Sequence, residues 1–297
     1  MPGRRRGLLL DRAHGQRARR AVRGAPLVTL NFVDLDHVAV AVERWADAWP
    51  RFVRTLGGRW MSGGRGPGFA PCQLGFANAM RVEILEPHLV EHNDFLRRFI
   101  DRSGPGPHHM TFKVKDLPAA LAAADAAGYQ PINVDMRDPL WQEAFLHPKQ
   151  SSGVVVQLAQ SIEGYWETPA PEGFPERGPV MAGLERIVHA VADLDAGLRL
   201  FADLLRGSEV DAGADESTRW VELAWPGPGR VRLVTPASPA SPVATWIGDQ
   251  PGRVHHLAFS GVSGADVDGA VELADGSYEL PPDSSTGTRL LFFHRDC

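Results

Sequence analysis

Cysteine is scarce in this 297-residue chain: Cys72 and Cys297 are the only two, too few for a disulfide framework or a thiolate metal cluster. Long apolar runs are lacking too. None approaches a membrane span, and Leu8 to Leu10, the one apolar stretch near the N-terminus, falls far short of a signal-peptide core. Nor is there a strong excess of charge of one sign. A formal net charge of -5 is modest at this length and sets up no global field that would recruit nucleic acid or a lipid surface. These absences predict a soluble protein of a reducing cytoplasm with small molecules, not nucleic acid or membrane, as partners. What is present is 43% hydrophobic residues, enough for a sizeable core, and a length that favours two domains or one large one.

The first 26 residues carry eight arginines against one acid, Asp11, with no helical or strand-like apolar period, and read as a disordered arm over 1–26. Beyond them the sequence repeats itself four times. DHVAVAV at 36–42, HHMTFKV at 108–114, ERIVHAV at 185–191 and HHLAFSG at 255–261 each alternate like a half-buried strand. The first three are followed by an apolar pattern at helical spacing. Trp45, Trp49, Phe52, Val53 and Leu56 follow the first, closed by Gly57 and Gly58, with Pro50 expected to bend or break the helix. Asp116 caps the second, with Leu117, Leu121 and Ala124 on one face and Gly128 as its stop; Asp193 begins the third, with Leu194, Leu198, Phe201 and Leu205. The fourth is weakest, offering only Val267 and Val271. Short apolar strands, such as 80–85 and 153–158, lie behind the helices, so the unit is βαβββ and the fold class α+β. Pro/Gly punctuation at 104–107 and 168–179 divides the chain into 27–160, a linker over 161–180, and 181–297, with two units in each domain.

Four βαβββ units in two tandem modules resemble the vicinal-oxygen-chelate (glyoxalase, bleomycin-resistance and extradiol dioxygenase) superfamily, in which sheets curl into a cup around a metal. Residues 35–160 most resemble methylmalonyl-CoA epimerase, through LDHVAVAV at 35–42, VEILEP at 82–87, PHHMTFKV at 107–114, and FLHPK at 145–149 followed by GVVVQ at 153–157.

Period-two alternation sends Val38, Val40 and Val42 to the helix side of the first strand and His37, Ala39 and Ala41 into the cup, where two alanines leave open space. In the second unit Met110, Phe112 and Val114 face the helix while His109, Thr111 and Lys113 face the cup. Glu83, between Val82 and Ile84, and Gln157, between Val156 and Leu158, point the same way. The His37–Glu83 and His109–Gln157 separations are nearly equal. Two imidazoles, a carboxylate and an amide oxygen suit one divalent first-row ion, Zn, Co, Mn, Ni or Fe. His37, Glu83, His109 and Gln157 are therefore the expected metal ligands. His108, one position off, is expected to face away in a supporting role. By resemblance the loop with His147 and Lys149 borders the mouth, where Lys149 is either solvated or the partner of a carboxylate or CoA phosphate.

In the second module Arg186 stands at the position of His37 and Arg232 at that of Glu83, while His256 survives and Leu291 or Phe293 replaces Gln157; His189 faces away. An arginine cannot ligate a cation and one histidine cannot hold one. That module is predicted to be degenerate, completing packing, shaping the first cup, or binding an anion through Arg186 and Arg232.

A metal holding two vicinal substrate oxygens stabilises an enolate, and a nearby carboxylate moves the proton. Glu83 is the expected base, the only acid the pattern puts inside the cup. The expected function is a metal-dependent epimerase, isomerase or lyase acting beside a carbonyl, on an acyl-CoA or 2-oxo compound. Two features depart from the epimerases: Gln157 stands where the last strand brings a glutamate, and no Asp or Glu occurs from Ser62 to Val82. The alternatives are an extradiol-type dioxygenase and a non-catalytic, resistance-type binding protein.

Overall fold

A computed structural model describes residues 30–162 and 167–293; the arginine-rich arm expected over 1–26 lies outside them. The first eight strands are β1 (Val33–Ala41), β2 (Arg59–Gly63), β3 (Gly68–Gly75), β4 (Arg81–His88), β5 (Gly106–Val114), β6 (Ile132–Asp138), β7 (Trp141–Leu146) and β8 (Val155–Ser161). They form one sheet in the order β2-β3-β4-β1-β5-β8-β7-β6. β1 and β5 run antiparallel at its centre, each with a parallel partner, β4 and β8. The two units are thus related by a pseudo-twofold that passes between β1 and β5.

The second sheet repeats the order with β9 (Gly183–Val191), β10 (Ser208–Ala214), β11 (Thr218–Ala224), β12 (Arg230–Pro236), β13 (Gly252–Ser260), β14 (Val271–Glu272), β15 (Tyr278–Leu280) and β16 (Leu290–Phe292). The architecture is α+β, two tandem modules of paired units. The weak fourth repeat has become a single 3-10 turn, Gly264–Asp266, ahead of three very short strands.

Val38, Val40 and Val42 pack into the main core with Phe52, Val53 and Leu56, as alternation requires. Helix α1 (Trp45–Trp49) does not break at Pro50 but widens into a π-helical segment, Pro50–Thr55. The proline is not the cause. Helix α4 (Leu194–Leu198) widens in the same way over Arg199–Leu204 with no proline. Helix α3 (Leu117–Ala126) and α4 start on the expected caps, Asp116 accepting from the Ala119 amide at 2.8 Å and Asp193 from that of Ala196 at 3.1 Å.

Two helices stand outside the βαβββ plan, α2 (Phe95–Ser103) and its counterpart α5 (Pro242–Ile247). Leu96 and Ile100 of α2 pack on Ala39, Ala41 and Leu85. The space above the two alanines, expected to be open, is therefore roofed. The cup opens only toward the His37 and His109 end.

Both modules share one core. Phe112 lies 6.1 Å from Phe201 and 5.2 Å from Trp225, and Phe76 lies 5.3 Å from Phe259, between ring centroids. At the seam, Gly153 (φ +89°) touches Gly252 so closely that a Cβ there would overlap the Gly252 carbonyl oxygen. Among the described residues no helix is long and apolar enough to cross a membrane.

Candidate metal centre

The central strand pair builds the site. On β1 and β5, His37 stands beside Thr111 and Ala39 beside His109, while Glu83 on β4 stands beside Ala39 and Gln157 on β8 beside Thr111. These registers bring side chains from four strands to one spot. Glu83 Oε2 lies 3.5 Å from His37 Nε2 and 3.7 Å from His109 Nε2. Ligand atoms of His37, Glu83 and His109 all fall within 4.8 Å of one another, and all three residues are buried. The Nε2 of His109 is buried without a hydrogen-bond partner. A buried polar atom left unpaired costs stability unless something binds it, and when Nδ1 of His109 is the donor to His108 its Nε2 presents a lone pair to a second imidazole and a carboxylate, which fits a cation.

Each imidazole is oriented by its other nitrogen. His37 Nδ1–H donates to Asp36 Oδ2 at 2.7 Å, and Arg81 donates to the second oxygen of Asp36 at 3.1 Å. Nδ1 of His109 meets Nδ1 of His108 at 2.8 Å, so one ring donates and the other accepts. Both ligand candidates are thereby held with Nε2 turned inward. Burial opposes charge on His37, but Glu83 and Asp36 on either side outweigh it and push its pKa up to about 9. Asp36, despite burial, is held down to about 2 by His37, Arg81 and Lys113. Burial, reinforced by the neighbouring His108 and His37, keeps His109 well below the usual histidine range. Cys72 faces the core, and burial pushes its thiol up to about 12, so it offers no thiolate.

Gln157, the fourth expected ligand, is buried at the edge of this group. Its amide oxygen accepts from the Thr111 hydroxyl at 2.5 Å, and that hydroxyl oxygen lies 2.9 Å from His37 Nε2. Its amide nitrogen donates to Glu143 at 2.6 Å. Glu143 also accepts from Trp141 Nε1 at 2.8 Å, and burial raises its pKa. Glu83 is therefore not the only acid in the cup.

A second glutamine–glutamate couple lies on the other half of the sheet, though not at the twofold-related position: by register Gln73 corresponds to Phe145, and Glu143 stands two residues before it on β7. Gln73 on β3 donates to Glu83 at 3.2 Å. Each half carries one glutamine–glutamate couple, in opposite senses: Gln73 to Glu83 on one wall, Gln157 to Glu143 on the other. The signal for Glu143 was its strand, where buried Ala144 and Leu146 alternate with Glu143 and Phe145.

His108 does not face away. A β-bulge lets Ala39 pair with His109 and Val40 with Pro107, leaving His108 as the extra residue. It turns to the cup side, 4.7 Å from Phe99 and 5.8 Å from Phe95 of α2 between centroids. Its supporting role stands; its direction was misread because a bulge breaks strict alternation.

In the second module Arg186 and Arg232 take the places of His37 and Glu83, and register assigns Leu291, not Phe293, to the place of Gln157. Both guanidiniums converge on Glu222, at 3.0 Å from Arg186 and 2.7 Å from Arg232, and Arg232 also reaches Asp211 at 3.0 Å. Glu222 sits opposite Arg232 as Gln73 sits opposite Glu83. An Arg–Glu–Arg group thus fills the second centre, its charges matched internally rather than held free for an anion. The bulge and histidine pair recur there, His255 Nδ1 lying 2.7 Å from His256 Nδ1.

Residues 36–145 match the profile of the Glyoxalase/Bleomycin resistance protein/Dioxygenase superfamily. Among solved structures, a mutant 4-hydroxymandelate synthase from Streptomyces coelicolor superposes at a TM-score of 0.63 and 12% identity, covering 89% of this chain and 92% of that one. This likeness is one of fold and spans both modules. A hypothetical protein from Bacillus halodurans C-125 shares 28% identity over 44% of this chain and 96% of its own, at a TM-score of 0.40. A methylmalonyl-CoA epimerase from Mycobacterium tuberculosis shares 24% over 43% and 88%, at 0.38. A comparison with curated proteins gives no match.

Proposed function

From a first module that is a domain of the glyoxalase, bleomycin-resistance and dioxygenase superfamily, we propose that this chain is a metal-dependent epimerase, isomerase or lyase, transferring a proton beside a carbonyl. One observation carries the reading: the unpartnered, buried Nε2 of His109 facing His37 and Glu83. His37, Glu83 and His109 would hold the ion, with the amide oxygen of Gln157 as the fourth group. A bound divalent cation supplies Lewis-acid stabilisation of negative charge on a substrate oxygen. Asp36 and His108 fix the two rings, and Gln73 holds one oxygen of Glu83 while the other stays turned inward. Glu83 is the proposed base on one wall. Glu143, held by Gln157 on the other, is the candidate second proton carrier that the stretch 62–82 does not supply. The motif resemblance of 35–160 to methylmalonyl-CoA epimerase suggests an acyl-CoA as first substrate to try, followed by 2-oxo compounds.

The test joins metal analysis to isotope exchange. The purified protein is expected to carry about one divalent metal per chain, lost in His37→Ala and His109→Ala but kept in His256→Ala. Glu83→Gln keeps an oxygen donor but cannot accept a proton, so solvent deuterium should enter methylmalonyl-CoA at least 10²-fold more slowly, about 2.7 kcal/mol of barrier. Exchange at the parent rate in Glu83→Gln removes Glu83 as base; metal retained after loss of His109 removes the centre itself. A second reading rests on the ligand set, since two histidines and one carboxylate also hold Fe(II) in oxygenases. Oxygen uptake with catechols, in place of deuterium exchange, selects it.

A further inference from the structure

The cavity above the metal centre has a volume of about 1310 Å³ and is lined by both modules. Its inner wall carries Glu83 and Glu143, whereas the side built by the second module is basic. Arg253 and Arg289 hold their guanidinium carbons 4.5 and 4.4 Å from the centre of one indole ring, Trp246. That indole is fixed by donation from Nε1 to the Val254 carbonyl at 3.2 Å. Arg102 of α2 and Lys149 of the β7–β8 loop line the same space.

Counter-charge is short here. Glu279 lies 3.5 Å from Arg289, and Asp135, an acid of the same lining, is taken up by Arg137. Arg102, Lys149 and Arg253 form no ion pair among the described residues. Two guanidiniums gathered on one ring repel each other, and an anion between them relieves that repulsion.

The seam gives the distance to the metal centre. Gly106 packs on Gly287, two residues before Arg289, and Gly153 packs on Gly252, next to Arg253. At a rise of about 3.3 Å per strand residue, His109 lies about 10 Å along β5 from Gly106, and Gln157 about 13 Å along the chain from Gly153. A compact acid cannot bridge that span, and one carboxylate would not match three unpaired cations.

We propose that Arg253, Arg289 and Trp246 of the second module, with Arg102 and Lys149 of the first, form a subsite for a phosphate-bearing tail of an extended substrate whose other end reaches His37, Glu83 and His109. The second module, which among the described residues gathers no group of metal-ligating side chains of its own, thereby supplies half of the first module's binding site. Calling the ligand a substrate rests on the function proposed above; the anion site itself does not.

Calorimetric titration of the full, EDTA-treated protein with inorganic pyrophosphate and, separately, with coenzyme A tests this. Both are expected to bind, coenzyme A at least tenfold more tightly because its organic arm fills the space toward the centre. Arg253→Ala with Arg289→Ala should weaken both at least tenfold. Arg253→Ala alone, at an exposed side chain, should weaken them severalfold without threatening the fold. No binding to the parent, or unchanged binding in the Arg253 variants, overturns the proposal. Equal affinity for the two probes marks a free-phosphate site and overturns the assignment to a substrate tail. Metal content read on the same preparations before EDTA treatment separates the two readings: anion binding by a parent that carries no metal leaves this site standing and removes the metal-dependent function.

Discussion

His189 shows at a single residue what burial does to an imidazole outside the metal centre. It packs 5.9 Å from Phe201, its Nε2 meets the Ser152 carbonyl at 2.8 Å across the seam, and burial outweighs that bond to hold its pKa at about 4. The unfolded chain takes up this proton near the ordinary histidine value of about 6.5, whereas the folded chain resists until about 4. Stability therefore falls as pH drops through that window, by a contribution on the order of a few kcal/mol. The urea midpoint of the parent should drop between pH 6.5 and 4. His189→Gln, which can still donate to Ser152 but does not titrate, should give a shallower fall; equal slopes would remove His189 from the account. At this scale the sequence was readable at Glu83, on a strand paired without a register shift, and at His37 and His109, whose direction into the cup survives the bulges beside them. It misled at His108, where the backbone adds a residue, and left out Glu143, which stands two residues off the position related to Gln73.

Among the elements, the strands and three of the four repeat helices follow from apolar spacing and Asp caps, and the failure of the fourth follows from its poverty in apolar residues. Two features were not read. The π-helical widening after α1 and α4 is a hydrogen-bond register that side-chain spacing at this resolution does not separate from an α-helix. Helix α2 is the other: Leu96, Phe99 and Ile100 stand at helical spacing before Gly104, and the helix narrows the cup to its His37 and His109 end. The seam elements make the sharpest prediction. At Gly153 the backbone is left-handed and a side chain has nowhere to go, so Gly153→Ala must push β8 from β13. A loss of about 2 kcal/mol or more is expected in chemical denaturation, against about zero for a Gly→Ala change at exposed Gly64, where a Cβ meets nothing. Equal stability of the two variants would mean the contact is not tight in solution.

For the whole molecule, the repeat that made the fold legible also hid a division of labour. The sequence of the second module already differs at the candidate ligand positions. It did not show that this module faces the first module's cavity, since that depends on how the two sheets meet. The His255–His256 bulge gives the asymmetry a further meaning. The backbone that turns His109 into the first cup is repeated at His256 while the side chains around it differ, so the second cup keeps the same register. Arg186, Glu222, Arg232 and Leu291 stand where His37, Gln73, Glu83 and Gln157 stand, and Ala258 and Val188 replace Thr111 and Ala39. If backbone register is what such a centre needs, Arg186→His with Glu222→Gln, Arg232→Glu and Leu291→Gln should create a second centre, raising metal content from about one to about two per chain. A content that stays at one would locate the difference in the apolar packing around Val188, Trp220 and Trp246.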